Sequence, residues 1–232
     1  MELIWDGIRE AFRLIFTGNS EVYQITFLSL MVSATATGIA LVIGLSIASF
    51  LAFGAPPGRT LTLSFLNSGM ALPPVVVGLV VAILLWRTGP LGSLHLLYTP
   101  GAIVIAQAVI ATPVVTALSA AALQSLHPKL RLQVLALGAS RRQAAWLLFR
   151  EARLALLAAV MAGFGAAISE VGSTIMVGGN IKGSTRTLTS GTVLKVSQGD
   201  FEGAMALSFI LLALIYAVTL ILTVAQQRRP SS

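Results

Sequence analysis

The sequence predicts an all-α integral membrane protein with five membrane-spanning helices. Of its 232 residues, 56% are hydrophobic and only 10% are charged, too few polar side chains to cover a water-soluble globule of this length. Crossing about 30 Å of hydrocarbon takes roughly 20 helical residues. Five apolar segments meet that length: 23–53, 60–86, 101–125, 154–177 and 203–226. They predict one membrane domain over residues 21–228. The net charge of +7 does not indicate nucleic-acid binding, because the sequence lacks the interleaved aromatic and basic residues typical of that function.

Residues 1–20 precede the spans and predict an amphipathic helix over residues 2–16. Apolar and charged side chains alternate there at near-helical spacing. The acidic residues and the lack of a small-residue cleavage site argue against a signal peptide. We expect the helix to lie in the membrane interface and wrap the bundle; the alternative is a cap helix that faces water.

The basic residues predict the orientation in the cell membrane. If the N-terminus is outside, nine of the fifteen Lys and Arg residues are cytoplasmic and six are outside. Six of those nine lie in residues 127–153, next to span ends, and the others are Arg59, Arg228 and Arg229. We therefore predict an outside N-terminus and a cytoplasmic C-terminus.

Prolines fall near the middle of two spans, Pro73 and Pro74 in the second and Pro113 in the third. Proline removes a backbone donor and clashes with the preceding turn, so both helices should bend near the midplane. Bent backbone at that depth indicates a translocation path, although a packing kink is equally compatible. Splitting the second span at the prolines would give six spans, but each half has 13 residues, too few to cross.

Residues suited to enzymatic chemistry are scarce. There is no cysteine, and His95 and His127 fall on opposite sides of the predicted topology. Glu170 is the one carboxylate inside a predicted span. An ionisable group at that depth favours a functional role; the alternative is a structural hydrogen bond to a neighbouring helix.

The segment after the fourth span is rich in groups that bind anions: glycine N–H groups, hydroxyls and fixed cations. This composition also describes an ordinary solvated loop. Its candidate gate or path residues are Gly178, Gly179, Asn180 and Arg186.

Residues 127–153 predict two short helices that meet at Gly138. Ser140 and Gln143 match a capping box at the start of the second helix. The chain contains no GxxxxGK[ST] loop, so any ATP-driven motor must be another subunit. The alternative is a basic loop that sets orientation and has no partner. The expected coupling residues are Arg131, Leu135, Ala136, Leu137, Gly138, Ala139, Ser140, Arg141, Arg142 and Gln143.

This helix, glycine and helix arrangement before the penultimate span resembles the coupling loop of type I ABC importer permeases. Gly138 and the helix after it match the family pattern. Leu132, Gln133 and Val134 replace the family's EAA, and Arg150 with Glu151 replaces its LP.

The downstream segment, residues 162–212, resembles the permeases of tungstate, molybdate and sulfate importers. The shared elements are E-x-G at 170–172, M-V-G-G-N-I at 176–181, T-R-T-L at 185–188 and G-D-F-E at 199–202. Three features are most similar to the tungstate-specific branch: the sequence I-S-E-V at 168–171, the arginine of T-R-T-L and the N-terminal helix.

The resemblance implies a MetI-like five-helix core that works as a homodimer, with two cytoplasmic ABC ATPase subunits and an extracytoplasmic oxyanion-binding protein. ATP and Mg would bind to the ATPase, and this chain would hold no cofactor. Residues 131–145 would lie in a cleft of the ATPase, and residues 178–200 would form part of the outer gate. A molybdate or sulfate permease, an ion-coupled secondary transporter and a membrane scaffold are the alternatives.

Overall fold

The computed structural model describes residues 2–54 and 57–227, and within these ranges all regular secondary structure is helical. Residues 55 and 56 lie outside the described residues, as do Arg228 and Arg229. A single 3-10 turn covers Gly92–Leu94. The helices are α1 (Glu2–Phe16), α2 (Ser20–Phe53), α3 (Arg59–Met70), α4 (Pro74–Leu85), α5 (Pro100–Gln124), α6 (Pro128–Ala136), α7 (Arg141–Glu151), α8 (Arg153–Ile168), α9 (Gly172–Gly178), α10 (Leu188–Ser197) and α11 (Phe201–Gln227).

Three helices of the described chain, α2, α5 and α11, are long and apolar enough to cross a membrane alone, and the number rises to five if each of two bent helix pairs forms one span. The centre of the bundle is the contact between α2 and α5. Ala36 and Ala40 are fully buried there, and a Cβ on Gly44 would lie 3.0 Å from the Thr116 hydroxyl. Small residues let the two backbones approach closely, as membrane helices require.

The bundle has two chemically distinct ends. At the N-terminal end, which comprises α1, the start of α2, residues 179–187 and α10, Lys182 pairs with Glu21. At the loop end, which comprises the end of α2 and residues 127–153, Arg131 donates to the carbonyl of Phe53. His127 lies at the loop end and His95 follows the 3-10 turn at the other, and the described residues contain no cluster of metal-ligand side chains.

The second predicted span is broken rather than kinked. Helices α3 and α4 meet at an angle of 98° across residues 71–73, so the expectation of one bent helix over 60–86 is corrected. The residue before a proline is held out of the helical region, and consecutive prolines enforce that over two positions. Pro73 is accordingly extended, with φ −60° and ψ 121°, and Pro74 starts α4. Pro113, by contrast, lies inside a continuous α5.

The fourth predicted span is also interrupted. Helix α8 ends at Ile168 and α9 restarts at Gly172, which corrects the continuous helix expected over 154–177. The Glu170 carboxylate accepts the N–H of Ser173 at 2.8 Å, so a side chain satisfies a backbone donor at the new start. At its other end α8 follows α7 after a 70° bend.

Helix α1 forms as predicted and packs against α11, because its inner face is made of small residues. A Cβ added to Gly7 would lie only 2.5 Å from the Cβ of Met205, so the two helices are in close contact there. Ala11, on the same face, is buried. The large side chains Trp5, Phe12 and Phe16 point away from the protein and are exposed. Such a face suits the membrane interface.

Candidate functional site: the coupling loop and the broken helices

The coupling loop, residues 127–153, has the two-helix form that its sequence predicts. Gly138 adopts φ +88°, a left-handed conformation that costs other residues about 1–2 kcal/mol. The Ser140 N–H donates to the Gln143 amide oxygen at 2.8 Å, and the Gln143 N–H donates to the Ser140 hydroxyl at 3.3 Å. Both halves of the capping box are therefore present, and α7 begins at a fixed place.

The outer surface of this loop is apolar and basic. Leu137 is 88% exposed, and Leu132, Trp146, Arg141 and Arg142 are exposed as well. Arg142 and Trp146 line a cleft of about 450 Å³ together with Val134, Ala139, Gln143 and Leu147. Exposed aromatic and arginine side chains around a cleft are typical of a protein interface.

The inner surface of the loop is fastened to the bundle. The Arg131 guanidinium donates to the Phe53 carbonyl at 2.7 Å and lies 5.6 Å from the centre of the Phe53 ring. Phe149 meets the same ring edge-on, and Ala144 and Leu148 are buried. Of the basic residues that the sequence assigns to partner contact, Arg131 thus holds the loop to α2, and the exposed Arg141 lines the cleft between the loop and α2, whereas Arg142 faces outward.

Polar groups collect beside the break between α3 and α4. Thr60, Ser64, Asn67 and Ser68 are exposed and lie on one face of α3, at helical spacing. A Cβ on Gly69 would lie 3.0 Å from the ring of Pro113, which brings α5 to the same break. Pro73, Pro74 and Pro113, predicted as path residues, therefore lie in one region.

The break between α8 and α9 adjoins the break between α3 and α4. A Cβ on Gly172 would lie 2.5 Å from Val75, and one on Gly78 would lie 2.5 Å from the Cα of Ser173. Helices α4 and α9 thus start side by side with their backbones nearly in contact. Two helix N-termini therefore lie at the same level of the bundle.

Glu170 is 7% exposed and serves the local structure. Besides the bond to Ser173, its backbone carbonyl accepts the hydroxyls of Thr174 at 3.1 Å and Thr189 at 3.0 Å. Thr174 also accepts a bond from the buried Gln107 amide at 3.5 Å. The structural alternative for Glu170 thus has direct geometric support.

Most anion-friendly groups after α9 are bonded within the protein. The Asn180 amide donates to the Ser190 carbonyl at 3.2 Å, and its oxygen accepts the Ser190 hydroxyl at 3.0 Å. Gly178 packs on Ile103, and Gly179, with φ +71°, packs on Tyr98. The two glycines thus shape the segment, and the side chains of Asn180 and Ser190 are bonded to each other.

The cations of this segment, Lys182 and Arg186, are both paired with Glu21. Sequence reasoning did not single out Glu21, because an acidic residue in the first turn of a helix has an ordinary explanation in the helix dipole. The sequence did offer one signal: the predicted topology puts Glu21 on the same side of the membrane as Lys182 and Arg186.

The sequence profile of the family described as "Binding-protein-dependent transport system inner membrane component" matches residues 40–231. The chain belongs to this family. The permease is therefore a multi-pass component of the inner membrane, part of an ABC importer whose family works with an ATPase and a binding protein. The predicted fold class and the predicted importer-permease function are confirmed.

Individual relatives extend the match beyond the family profile. A protein of Peptoclostridium acidaminophilum, "Tungstate uptake system permease protein TupB", is 39% identical over 98% of this chain and 100% of its own length. A "Probable anion ABC transporter permease protein" of Haloferax volcanii is 42% identical over 84% of this chain and 86% of its own. A solved structure described as an amino acid ABC transporter with histidines shares the fold, with a TM-score of 0.67 at 18% identity over 94% of this chain and 98% of its own.

Proposed function

We propose that this permease carries tungstate across the membrane for an ATP-driven importer. The observation that carries the proposal is the full-length similarity to a tungstate uptake permease, which includes α1 and the first half of α2, outside the family profile. ATP and Mg belong to the ATPase partner in this proposal. The N-terminal end faces outward, toward the oxyanion-binding protein, and the loop end faces the cytoplasm.

The coupling loop supports this assignment of partners. Leu132, Leu137 and Trp146 are exposed, and Trp146 lines the outer cleft with Arg142, so an apolar surface with positive charge beside it is available to an ATPase subunit. Closure of two ATPase subunits would move two such loops toward each other. Since α7 continues into α8 after one bend, that motion reaches the membrane helices directly.

A second copy of this chain is inferred from the polar face of α3. Exposed Ser64, Asn67 and Ser68 and the broken backbone at 71–73 cannot face hydrocarbon, because their polar groups would lose hydrogen bonds to water without replacement. A second copy facing this surface would enclose a water-filled path between the two polar faces. Tungstate would move along these hydroxyl and amide groups, which offer donors without a fixed charge.

Vesicle uptake tests the substrate. Permease, ATPase and binding protein are reconstituted together, and vanadate-sensitive uptake of tungstate is measured against molybdate and sulfate. We expect tungstate to be preferred. Equal uptake of sulfate would refute the tungstate assignment, and a lack of vanadate sensitivity would refute the ATP-driven mechanism.

Cysteine cross-linking tests the second copy, since the chain has no native cysteine. Asn67→Cys should form a disulfide-linked dimer in the membrane. Tyr216→Cys, on the exposed face of α11, is the matched control and should stay monomeric. Dimers formed by the control and not by Asn67→Cys would place the interface elsewhere.

A further inference from the structure

Three charged side chains join the start of α2 to the segment after α9. The Lys182 ammonium lies 2.7 Å from Oε2 of Glu21, and Nη1 of Arg186 lies 3.0 Å from Oε1 of the same carboxylate. Each carboxylate oxygen therefore binds a different cation. We call Glu21, Lys182 and Arg186 the Glu21 cluster.

Arg186 has more binding capacity than the carboxylate uses. Its side chain is only 18% exposed, and its Nε is buried without a hydrogen-bond partner among the described residues. A guanidinium presents adjacent N–H groups in a fixed plane, suited to two oxygens of one anion. A carboxylate already divided between two cations cannot supply the second oxygen, whereas a tetrahedral oxyanion has four.

The Glu21 cluster also forms the shared wall of two clefts at the N-terminal end. One cleft, of about 600 Å³, extends toward α1, α10 and α11. The other, of about 480 Å³, extends along α2 past Gln24 and Phe27 and beside Gly183 and Ser184. An anion that entered one cleft and displaced Glu21 would reach the other.

We propose that Lys182 and Arg186 form an entry site for the transported tetrahedral oxyanion, and that Glu21 is a built-in competitor for that site. This inference rests on the proposed function. A divalent oxyanion displaces the monovalent carboxylate by binding both cations and the free Nε of Arg186. Return of Glu21 then releases the anion, so the carboxylate keeps the site weak enough for transport.

Charge arithmetic gives the reason for a competitor. With Glu21 present the cluster carries one net positive charge, and without it two. Two cations with no carboxylate would hold a dianion more tightly and release it more slowly. Glu21→Gln should therefore raise the affinity of the isolated permease for tungstate about two- to fivefold, the factor expected from freeing a partly exposed ion pair.

The experiment measures equilibrium binding of tungstate, molybdate and sulfate to purified permease in lipid nanodiscs. The matched control is Glu10→Gln, which removes one carboxylate from the same 600 Å³ cleft but leaves the Glu21 cluster intact. Glu21→Asp keeps the charge on a shorter side chain and serves as a second test if Glu21→Gln does not fold. Its affinity for tungstate should lie between those of wild type and Glu21→Gln. Tighter oxyanion binding by Glu21→Gln and unchanged binding by Glu10→Gln support the proposal.

Two other outcomes are decisive. Equal affinities for all four proteins, or equal gains in both glutamine variants, overturn the competitor role of Glu21 and leave the vesicle assay for tungstate untouched. A gain in Glu21→Gln that is as large for sulfate as for tungstate supports the entry site, while equal uptake of sulfate and tungstate by wild-type vesicles would refute the tungstate assignment. The two hypotheses therefore fail separately.

Discussion

The contact between Arg131 and Phe53 predicts an uncoupled transporter when it is removed. Arg131→Met keeps the length of the side chain but loses the 2.7 Å hydrogen bond and the cation–π contact. A hydrogen bond from a charged group contributes about 1.5–3 kcal/mol and an exposed cation–π pair about 0.5–1 kcal/mol. Arg131 is only half-buried, so we take a loss of about 2 kcal/mol, a shift of about thirtyfold toward a loop released from α2.

The assay reconstitutes permease, ATPase and binding protein in vesicles and measures both tungstate uptake and phosphate release. Arg131→Met should keep its bound ATPase and its ATP hydrolysis while uptake per ATP falls several-fold, because the outward face of the loop is unchanged. Arg142→Met, whose side chain faces outward, is the control and should weaken ATPase binding instead. Unchanged uptake per ATP in Arg131→Met, or loss of ATPase binding equal to that of Arg142→Met, would refute the reasoning.

Three further changes should affect stability, measured by unfolding in detergent. Gly78→Ala should lower the free energy of unfolding by about 1–3 kcal/mol, because the added Cβ forces α4 away from α9. Gly38→Ala, where a Cβ has open space, should leave the free energy of unfolding unchanged or raise it by up to about 1 kcal/mol. Equal effects of the two changes would contradict the close packing of α4 and α9. Glu170→Ala should cost about 1–3 kcal/mol by leaving a buried N–H unpaired, and Glu170→Gln should recover most of it; no difference between the two would exclude the capping role. Bonds from Lys195 and from the Gly203 N–H hold the pKa of Asp200 below its ordinary value of 3.8, so the stability it adds is present above that value and is lost as the pH falls through the lower folded-state pKa. The difference in Tm between wild type and Asp200→Asn should therefore shrink as the pH falls below 3.8, and a difference that stays constant as the pH falls would contradict the assignment.

Local rules predicted the coupling loop in detail. A glycine between two short helical patterns and a serine three residues before a glutamine are signals that act within a few residues of chain. Gly138, Ser140 and Gln143 accordingly have the conformations expected of them. The inward turn of Arg131 was not predictable, because its partner is the carbonyl of Phe53, distant in sequence.

The helix breaks show the limits of hydropathy. An apolar segment long enough to span reads as one helix whether it is straight or bent by 98°, since hydropathy carries no information on backbone direction. Pro73 and Pro74 at least marked the first break. The second break, at residues 169–171, has no proline, and the Glu170 side chain satisfies the Ser173 N–H where the helix restarts.

The outer segment shows why composition alone overstates a binding site. Asn180 and Ser190 are groups that bind anions, yet each satisfies the other in the folded chain. Only tertiary contacts reveal which donors remain available. The same contacts brought in Glu21, which lies far from Lys182 and Arg186 in sequence.

Helix α2 is tied at both ends, by Glu21 to the segment after α9 and by Phe53 to the coupling loop. It is a continuous helix of 34 residues, about 51 Å long at 1.5 Å per residue. Near its middle, Ala36, Ala40 and Gly44 press it against α5. A continuous rod fastened at both ends has no flexible joint along its length, so a displacement of the coupling loop would be carried to the Glu21 cluster at the opposite end of the bundle.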